Sequence, residues 1–475
     1  MEIAIVGSSL SAWAVYQSLT ATISSTDTIT IIDSGYRFKV DSPDKKLLAG
    51  QKTQFGSAHM YDTTGSGLDF LEQSNYSMAS GGLSTVWGAG IRLWSIDSLS
   101  GIPIKAHDFY AAAKFLLGRL PYTGNARTLN IPAEFDIAEH APPAGSDHFD
   151  FLFNIDGHSS VQVFPTPLAI DVVGSTKCRG CGDCLTGCPY NSIFDAGVAF
   201  DSIVGSKKLS RVVGVVSKLV PHEEKVGVEI DNGQGRLVHG LYDAVYLCAG
   251  AIGSPAILMR SQLISNQIDV LDSQVFYFIG IQRPRREKNS KKFALSQATI
   301  SAESGSEIEF TASLYESNQD VRNRISDLVA KRLFGLRIRP PRFLDHFLFF
   351  GIGFLDSSVS GKIQLSLERE NQIKVRSIED PGTVTKVKQA LRIIAKSLLR
   401  KGLLVIPWIS VVPPPGAGFH SGGALPLDGA LIDSRGCLRS CPSIHISDTS
   451  LLPYLKPGAH TFTSMSLSSS LILGD

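Results

Sequence analysis

The sequence of 475 residues has little charge of either sign in excess, since 45 lysines and arginines stand against 44 aspartates and glutamates. This balance gives no reason to expect nucleic acid as a partner, because nucleic-acid-binding proteins present strongly basic surfaces. A run of about 18 or more apolar residues is also lacking, so we expect no membrane-spanning helix. The first residues, MEIAIVG, predict a buried strand, and we therefore expect no signal peptide. With 43% hydrophobic and 19% charged residues, the composition is typical of a globular protein of two or three domains.

Cysteine is scarce, but four of the seven cysteines lie close together in the sequence. Such crowding favours a metal site in a reducing, cytoplasmic setting over a secreted disulfide framework. The stretch from Lys177 to Pro189 has the form C-x-x-C-x-x-C-x-x-x-C-P, which is the spacing of bacterial ferredoxins that bind iron–sulfur clusters. The predicted metal ligands are Cys178, Cys181, Cys184 and Cys188.

Several arrangements of this loop stay open. Cys188 could complete a 4Fe–4S site, a remote cysteine could take its place, or the cluster could be 3Fe–4S. A zinc ion is another alternative, although structural zinc sites usually combine two separated C-x-x-C pairs. Two disulfides or an empty loop complete the alternatives, and a cytoplasmic setting disfavours the disulfides. The remote candidates are Cys248, Cys437 and Cys441.

The N-terminal segment predicts a β-α-β unit of the kind that binds dinucleotides. In such a unit, a tight turn brings a pyrophosphate to a helix N-terminus, and an acidic residue after the second strand accepts the ribose hydroxyls. The glycine pattern is incomplete, because Ser9 and Ala12 occupy the places of the second and third glycines. The predicted elements are a strand at Ile3–Val6, a turn at Gly7–Ala12, a helix at Trp13–Thr22 and a strand at Thr28–Ile32 that ends at Asp33.

The rest of the chain predicts further strands and a second glycine-rich loop. That loop spans residues 77–92 and carries Trp87, so we expect it to pack against the protein. Alternation over 225–247 predicts a hairpin that leads into a return strand of the first sheet, and the following helix should start near Pro255. Alternating strands between 270 and 375 predict an antiparallel sheet, and 383–401 predicts a helix.

Three regions together carry a family resemblance. Gly81–Gly88 reads GGLSTVWG, and Cys248–Leu258 reads CAGAIGSPAIL. The most specific region is the C-terminal block, whose motifs are FHSGG (Phe419–Gly423), GALID (Gly429–Asp433), IHISDTS (Ile444–Ser450) and PGAHTFT (Pro457–Thr463). In this order they resemble the glucose–methanol–choline family of FAD-dependent oxidoreductases. The segment Gly81–Gly88 of the second glycine-rich loop is most similar to the family's pyranose-oxidase-like branch. Family members similar to cholesterol oxidase or bacterial FAD-glucose dehydrogenase also carry cysteine loops in the region that corresponds to Cys178–Cys188 of this sequence.

The resemblance implies an α/β fold, with a Rossmann-like FAD-binding domain and a second, α+β substrate domain built on a mainly antiparallel sheet. The implied FAD-binding domain comprises 1–105, 155–265 and 415–475, with the cysteine-rich loop at 171–197, and the substrate domain comprises 106–154 and 266–414. Val86 stands where some relatives attach FAD to a histidine, so we expect non-covalent FAD. The implied cofactor contacts are Gly7, Ser8, Ser9, Ala12, Asp33, Gly81, Gly82, Ser84, Thr85, Trp87, Gly88, Val216, Ala249, Gly250, Asp448, His460 and Thr461.

The resemblance also implies a catalytic pair of histidines. Oxidation of an alcohol needs a base for the hydroxyl proton, and histidine suits that role near neutral pH. His420 matches the family's catalytic histidine and would act as the base or orient the alkoxide. His460 matches the second position and would hydrogen-bond to the substrate oxygen. We expect His445 to be a packing residue on a strand, and Asp448 to lie near the flavin phosphates or ribityl chain.

These features predict an FAD-dependent alcohol dehydrogenase that oxidises a CH–OH group of a sugar or sugar derivative and passes electrons through an iron–sulfur cluster. Its acceptor would be a protein or a quinone, and a sterol or polyprenyl alcohol is the next substrate class. One alternative is an oxidase that uses oxygen and has a structural cysteine loop. Another is a non-catalytic flavin and iron–sulfur electron carrier, which has no need of two active-site histidines. The basic stretch Lys331–Arg342 and the apolar Phe343–Leu355 are interpreted as a solvated strand before a core segment rather than a membrane-surface element.

Overall fold

The computed structural model describes residues 1–35, 68–70, 75–153, 161–185, 188–205, 208–231, 236–283, 291–302, 308–317 and 347–474. The basic stretch 331–342 lies outside the described residues. The helices are α1 (Leu10–Thr22), α2 (Ile96–Leu99), α3 (Ala106–Leu117), α4 (Ala126–Leu129), α5 (Ala196–Asp201), α6 (Gly250–Arg260), α7 (Thr383–Leu399) and α8 (Thr461–Leu473). The strands are β1 (Glu2–Val6), β2 (Thr28–Asp33), β3 (Leu68–Phe70), β4 (Gln162–Pro165), β5 (Leu209–Val213), β6 (Val215–His222), β7 (Lys225–Asp231), β8 (Arg236–Tyr242), β9 (Ala244–Leu247), β10 (Gln267–Asp272), β11 (Val275–Gln282), β12 (Ala298–Ala302), β13 (Phe310–Glu316), β14 (Leu348–Leu355), β15 (Lys362–Leu367), β16 (Ile373–Ile378), β17 (Leu403–Val411), β18 (Ser421–Gly422), β19 (Cys437–Leu438) and β20 (Cys441–Ile446).

The first sheet contains the predicted β-α-β unit. Its strand order is β19-β20-β9-β1-β2-β5, and all neighbours are parallel except β19 and β20. Its central strands are apolar runs because both faces of a parallel sheet are covered. The helix begins at Leu10, earlier than predicted, because Ser9 caps it and accepts a hydrogen bond from the Ala12 N–H. The prediction of a strand–turn–helix–strand unit is confirmed.

Helix α8 supports the first sheet although it is rich in serine. It packs against α1 and α3, and its residues from Phe462 to Ser470 are buried. Two of its hydroxyl groups donate back to carbonyls of the same helix, at 2.8 Å each for Ser466 and Ser470. Such bonds satisfy these two hydroxyl groups within a close helix contact, whereas the buried hydroxyl groups of Ser464 and Ser468 have no partner among the described residues. The packing of α3 against α8 joins residues 106–117 to the first core, and the domain boundaries stay a prediction.

The second sheet is antiparallel, with the order β17-β11-β14-β13-β12-β4. Glycines and phenylalanines pair across its central strands, so that each aromatic ring covers the backbone of the opposite glycine. A Cβ at Gly351 would lie 2.0 Å from the ring of Phe278, and one at Gly353 would lie 2.1 Å from the ring of Phe276. Helix α7 packs against β17 and helps to cover the buried core of this sheet.

Two of the predicted strands belong to a different sheet. The antiparallel prediction for 270–375 is confirmed, but β15 and β16 lie in a third sheet of order β18-β10-β15-β16-β3, with only β3 parallel to its neighbour. Period-two alternation predicts a strand and not its partner, which explains the difference. The predicted hairpin, formed by β7 and β8, and the return strand β9 are confirmed. Strand β6 also pairs with β7 in this small antiparallel sheet.

The start of α6 differs from its prediction. The helix begins at Gly250, and Pro255 lies inside it. The reason is a distant cap, because the Asp448 carboxylate accepts a hydrogen bond from the Gly250 N–H at 2.8 Å and stabilises an earlier first turn. Among the described residues, no helix has the length and apolar character needed to cross a membrane.

Candidate active site

A cavity of about 380 Å³ extends from the carboxyl ends of β1 and β2 to one face of the second sheet. Ligands of open α/β sheets bind at such an edge. Three predicted residues do not line the cavity, namely Ala12 in α1 and Gly81 and Thr85 in the second glycine-rich loop. The predicted site residues that do line it are Gly7, Ser8, Ser9, Asp33, Gly82, Ser84, Trp87, Gly88, Val216, Ala249, Gly250, His420, Asp448, His460 and Thr461.

The turn after β1 is built for close approach of a ligand to backbone. Gly7 has a φ of 98°, and a Cβ there would lie 2.6 Å from the Cys248 carbonyl oxygen. Ser9 takes the place of the second glycine, and its hydroxyl donates to the same oxygen at 3.0 Å. The N-terminus of α1 therefore opens into the cavity, where its dipole and N–H groups favour an anion.

Asp33 lies at the end of β2 as predicted, but its carboxylate is already paired. Arg211 donates to both oxygens, at 2.8 and 2.6 Å, and the Ser80 hydroxyl donates to one of them at 3.1 Å. The Asp33 and Arg211 side chains are 5% and 12% exposed, so this ion pair is buried. Sequence reasoning missed Arg211, because β5 joins β2 across a separation of 178 residues.

Asp448 is a second buried carboxylate at this edge of the sheet. It accepts hydrogen bonds from the Gly250 N–H, from the Ser254 hydroxyl at 2.5 Å and from the Ser450 N–H at 2.9 Å. Burial raises the pKa of Asp448, and the hydrogen bonds oppose that shift. Its main role in this structure is to fasten the start of α6 to the segment that follows β20.

The second glycine-rich loop packs tightly against the first turn. The Ser8 hydroxyl accepts a hydrogen bond from the Gly81 N–H at 2.8 Å, and a Cβ at Gly81 would lie 2.8 Å from Asp195 Oδ1. The indole of Trp87 donates to the Phe194 carbonyl at 2.9 Å. The loop thus presents Trp87 to the cavity as a fixed wall, as its sequence predicts.

The two candidate histidines lie side by side in the cavity. Their ring centroids are 4.9 Å apart with the planes at 69°, and Phe354 stacks on His420 at 4.0 Å. The Nδ1 atoms of both histidines and the indole Nε1 of Trp94 are buried and have no hydrogen-bond partner among the described residues. Buried polar atoms normally have partners, so these three atoms leave hydrogen-bonding capacity unused beside the cavity.

Burial keeps both imidazoles neutral at neutral pH. It lowers the pKa of His460 to about 4, while hydrogen bonds to the backbone of Gly458 and Ser421 act in the opposite direction. Burial also lowers the pKa of His420 well below its usual value, and the positive charge that His460 would carry adds to that shift. Each histidine can therefore accept a proton, but protonation of one opposes protonation of the other.

A set of hydroxyl groups faces the histidines from the second sheet. Alternation along β13 directs Thr311, Ser313 and Tyr315 to the cavity and the residues between them to the core. The signal is visible in the sequence as FTASLY, but sequence reasoning did not use it. The other hydroxyl-bearing residues of this wall are Thr166, Ser296, Thr299, Ser301 and Tyr277.

A lysine between two carboxylates closes one end of the cavity. Lys456 lies 2.8 Å from Glu309 and 3.3 Å from Asp356, and both Lys456 and Glu309 line the cavity. The ion pairs connect the loop that leads to His460 with the start of β13. They therefore couple the position of the histidine to that of the second sheet.

The four clustered cysteines lie together outside the cavity lining. All seven cysteines of the chain are free. Burial raises the pKa of Cys184 to about 12, and the charges of Cys178, Cys181 and Cys188 contribute to that increase. Cys188 thus belongs to the group, whereas the remote Cys248 responds to Asp448.

The donors of the loop suit a soft metal in their chemistry. Backbone groups of Gly180 and Ala144 hydrogen-bond to the Cys178 sulfur, and the Ser192 N–H donates to Cys188 Sγ at 3.3 Å. Thiolates are the ligands of iron–sulfur clusters and of zinc. As placed, no three His, Cys, Asp or Glu side chains within the described ranges form a group that could hold a metal ion.

The fold class is α/β, with a Rossmann-like domain and a second, sheet-rich domain, as predicted. One solved structure that shares this fold is that of pyridoxine 4-oxidase from Mesorbium loti, with a TM-score of 0.63, 13% identity, and coverage of 99% of this chain and 98% of that chain. At this identity the likeness establishes the fold, and the function must be argued from the site. No protein-family model and no curated protein matches the sequence.

Proposed function

We propose that the protein is an FAD-dependent oxidoreductase that oxidises the CH–OH group of an alcohol. The observation that carries this proposal is the pair His420 and His460, two neutral imidazoles that lie side by side in the lining of the cavity. They share a cavity with a helix N-terminus that favours an anion.

The residues at the first sheet suit FAD. Gly7 and Ser9 would face the pyrophosphate, and Trp87 and Thr461 would lie along the flavin. Asp33 would meet the ribose with Arg211 already bound to it, so the hydroxyls would contact the edge of an ion pair rather than a free carboxylate. When bound, FAD supplies the acceptor for the carbinol hydrogen and its two electrons. Val86 supports non-covalent binding, because valine stands where some relatives have the histidine that attaches FAD covalently.

The histidines would hold the substrate hydroxyl and take its proton. His420 lines the cavity as a neutral imidazole, so it would accept the O–H proton as the C–H bond breaks. His460 would donate a hydrogen bond to the substrate oxygen and so stabilise its developing negative charge. Because a charge on one ring opposes charge on the other, the two neutral rings would together take up one additional proton at a time.

The substrate we propose is a sugar or sugar derivative. Hydroxyl groups of Thr299, Thr311 and Ser313 can each donate and accept, which matches the several hydroxyl groups of a sugar. A sterol or polyprenyl alcohol stays the next substrate class, because Thr299 already hydrogen-bonds to Thr166 and Thr311 to Ser301, so these hydroxyl groups do not require polar partners on the ligand.

We further propose that the cysteine loop holds an iron–sulfur cluster through Cys178, Cys181, Cys184 and Cys188. Such a cluster accepts electrons one at a time and would pass them to an acceptor. Lys177, Arg179, Lys291 and Lys292 are exposed on or beside this loop, and none of them forms an ion pair with another described residue. These charges support an acidic acceptor protein over a quinone, and a cytoplasmic setting suits the free thiols.

The second candidate is an oxidase that uses oxygen. It is favoured by the name of the structural neighbour, pyridoxine 4-oxidase. In that case the cysteine loop would be structural. A non-catalytic electron carrier is less well supported, because it would not need the histidine pair.

The experiment that tests the proposal starts with protein purified without oxygen. Flavin, iron, zinc and sulfide contents are measured, and a panel of sugars is tested for reduction of the bound flavin. We expect flavin with three or four irons and matching sulfide, as cluster stoichiometry requires. Cys188→Ser should lose iron while Cys441→Ser, outside the loop, keeps it.

His420→Ala should retain FAD, but the alcohol should no longer reduce its flavin. His445→Ala should retain both the FAD and its reduction by the alcohol, because His445 stacks on Tyr246. Reduction at the wild-type rate in His420→Ala would disprove the catalytic assignment. Stoichiometric oxygen consumption by a protein without iron would favour the oxidase.

A further inference from the structure

The segment that carries His420 is fastened by side chains from several elements. The Ser377 hydroxyl donates to the Pro415 carbonyl at 2.7 Å. The Asn75 amide donates to the carbonyls of Ala417 and Gly418 at 2.8 and 2.7 Å. A loop held at so many points can present an imidazole in one fixed orientation.

Asp272 holds this segment on both sides of His420. Its carboxylate accepts hydrogen bonds from the Gly416 N–H at 3.0 Å and from the Ser421 hydroxyl at 2.9 Å. The residue after it, Ser273, donates its N–H to the His420 carbonyl at 2.9 Å. Asp272 itself is fully buried, with 0% exposure.

The contact between Asp272 and Ser421 also helps to position the second histidine, His460. The backbone of Ser421 hydrogen-bonds to the His460 ring, and Asp272 fixes Ser421 through both its hydroxyl and the pairing of β10 with β18. One carboxylate thus organises both imidazoles without touching either ring.

Asp272 has no charged partner among the described residues. On its own strand, Asp269 is paired with Lys362 of β15 at the surface. Neither β18 nor the described segment 413–420 offers an acidic or basic side chain other than His420, and Asn75 is neutral. Burial raises the pKa of Asp272 to about 6, and its two hydrogen bonds partly offset that increase.

We propose that the ionised carboxylate of Asp272 is the positioning group that holds His420 and His460 in their reactive arrangement. As the carboxylate it accepts both hydrogen bonds, whereas protonation of Oδ2 would break the bond from the Gly416 N–H and protonation of Oδ1 would reverse the bond with the Ser421 hydroxyl. The effect of Asp272 on catalysis rests on the proposed function. Its effect on the arrangement of His420 and His460 rests on the hydrogen bonds alone.

The test compares Asp272→Asn with Asp269→Asn, a substitution on the same strand. With a sugar that reduces the flavin, the wild-type rate should fall as the pH is lowered through about 6. Asp272→Asn should be about ten- to a hundredfold slower at neutral pH, with FAD content unchanged and no inflection near pH 6. Asp269→Asn should follow the wild type, and a wild-type pH profile in Asp272→Asn would overturn the proposal.

A second readout needs no substrate. Ring signals of labelled histidines in the FAD-loaded protein should shift with an apparent midpoint near pH 6 for His420 and His460, and this step should be absent in Asp272→Asn. If Asp272→Asn fails to fold, Ser421→Ala replaces it. That variant removes one hydrogen bond to the carboxylate, so the midpoint should move to higher pH. An unchanged midpoint would refute the positioning role, while a shifted midpoint without reduction by any alcohol would refute only the proposed function.

Discussion

Arg211 binds Asp33 through both carboxylate oxygens, in a place where a dinucleotide-binding unit usually offers a free acidic residue. The pair is almost fully buried, and Arg211 also contacts Asp201 at 3.0 Å. A buried carboxylate that loses its partner keeps the full cost of its desolvation.

Replacement of Arg211 should therefore destabilise the protein far more than replacement of a surface arginine. Arg211→Met should lower the free energy of unfolding by about 3–5 kcal/mol in urea titrations of the apoprotein. Arg435→Met is the matched control, because its pair with Asp433 is exposed and should contribute about 0–1 kcal/mol. Equal losses in the two variants would mean that the buried pair is not a structural element.

Gly7 should be required for both the fold and the cofactor. Gly7→Ala places a Cβ 2.6 Å from the Cys248 carbonyl oxygen at a φ of 98°. Gly205→Ala is the control, because its φ is 89° and nothing lies within 4 Å of the new Cβ. The control should cost about 1–2 kcal/mol of backbone strain alone. Gly7→Ala should cost more and also weaken FAD binding in fluorescence titrations, and full FAD affinity in that variant would contradict the assignment of the turn.

The local motifs could be predicted from the sequence, because their signals lie within a few residues. The unit from Glu2 to Asp33 and the pairing of FHSGG with GAHTFT are of this kind, and the structure brings His420 and His460 together as expected. Their catalytic role remains a prediction.

The long-range contacts could not be predicted. Arg211 reaches Asp33, and Asp448 caps α6 at Gly250, only because parallel strands bring distant segments to one edge. Alternation in β13 is readable, but it does not tell which face meets the cavity. The division of the antiparallel strands between two sheets has the same origin, since a strand pattern carries no information on partners.

The buried histidines should make stability depend on pH. His460 has a pKa of about 4 in the folded protein and 6.5 as its usual value, so the unfolded chain binds more protons between these limits. The free energy of unfolding should fall as the pH is lowered from about 6.5 to 4, with a contribution of about 3 kcal/mol from this residue.

His460→Gln should flatten this dependence in urea titrations at several pH values. Asp272 acts with the opposite sign, because its raised pKa makes the folded state bind more protons, but it is present in both proteins and cancels in the comparison. His222→Gln, a change at an exposed histidine, should leave the slope unchanged. Parallel curves for the wild type and His460→Gln would show that His460 is not held neutral by burial.

The hydroxyl wall leads to a prediction about substrate binding. Ser313 lines the cavity opposite the histidines, and Ser313→Ala removes one hydroxyl without changing the strand. If this group binds the sugar equally in the ground and transition states, its loss should raise KM about tenfold and leave kcat unchanged. Ser202→Ala, at an exposed helix end, should change neither constant. A loss in kcat with unchanged KM would instead assign Ser313 to the reacting oxygen, and no change in either constant would remove the hydroxyl wall as the basis for a sugar substrate.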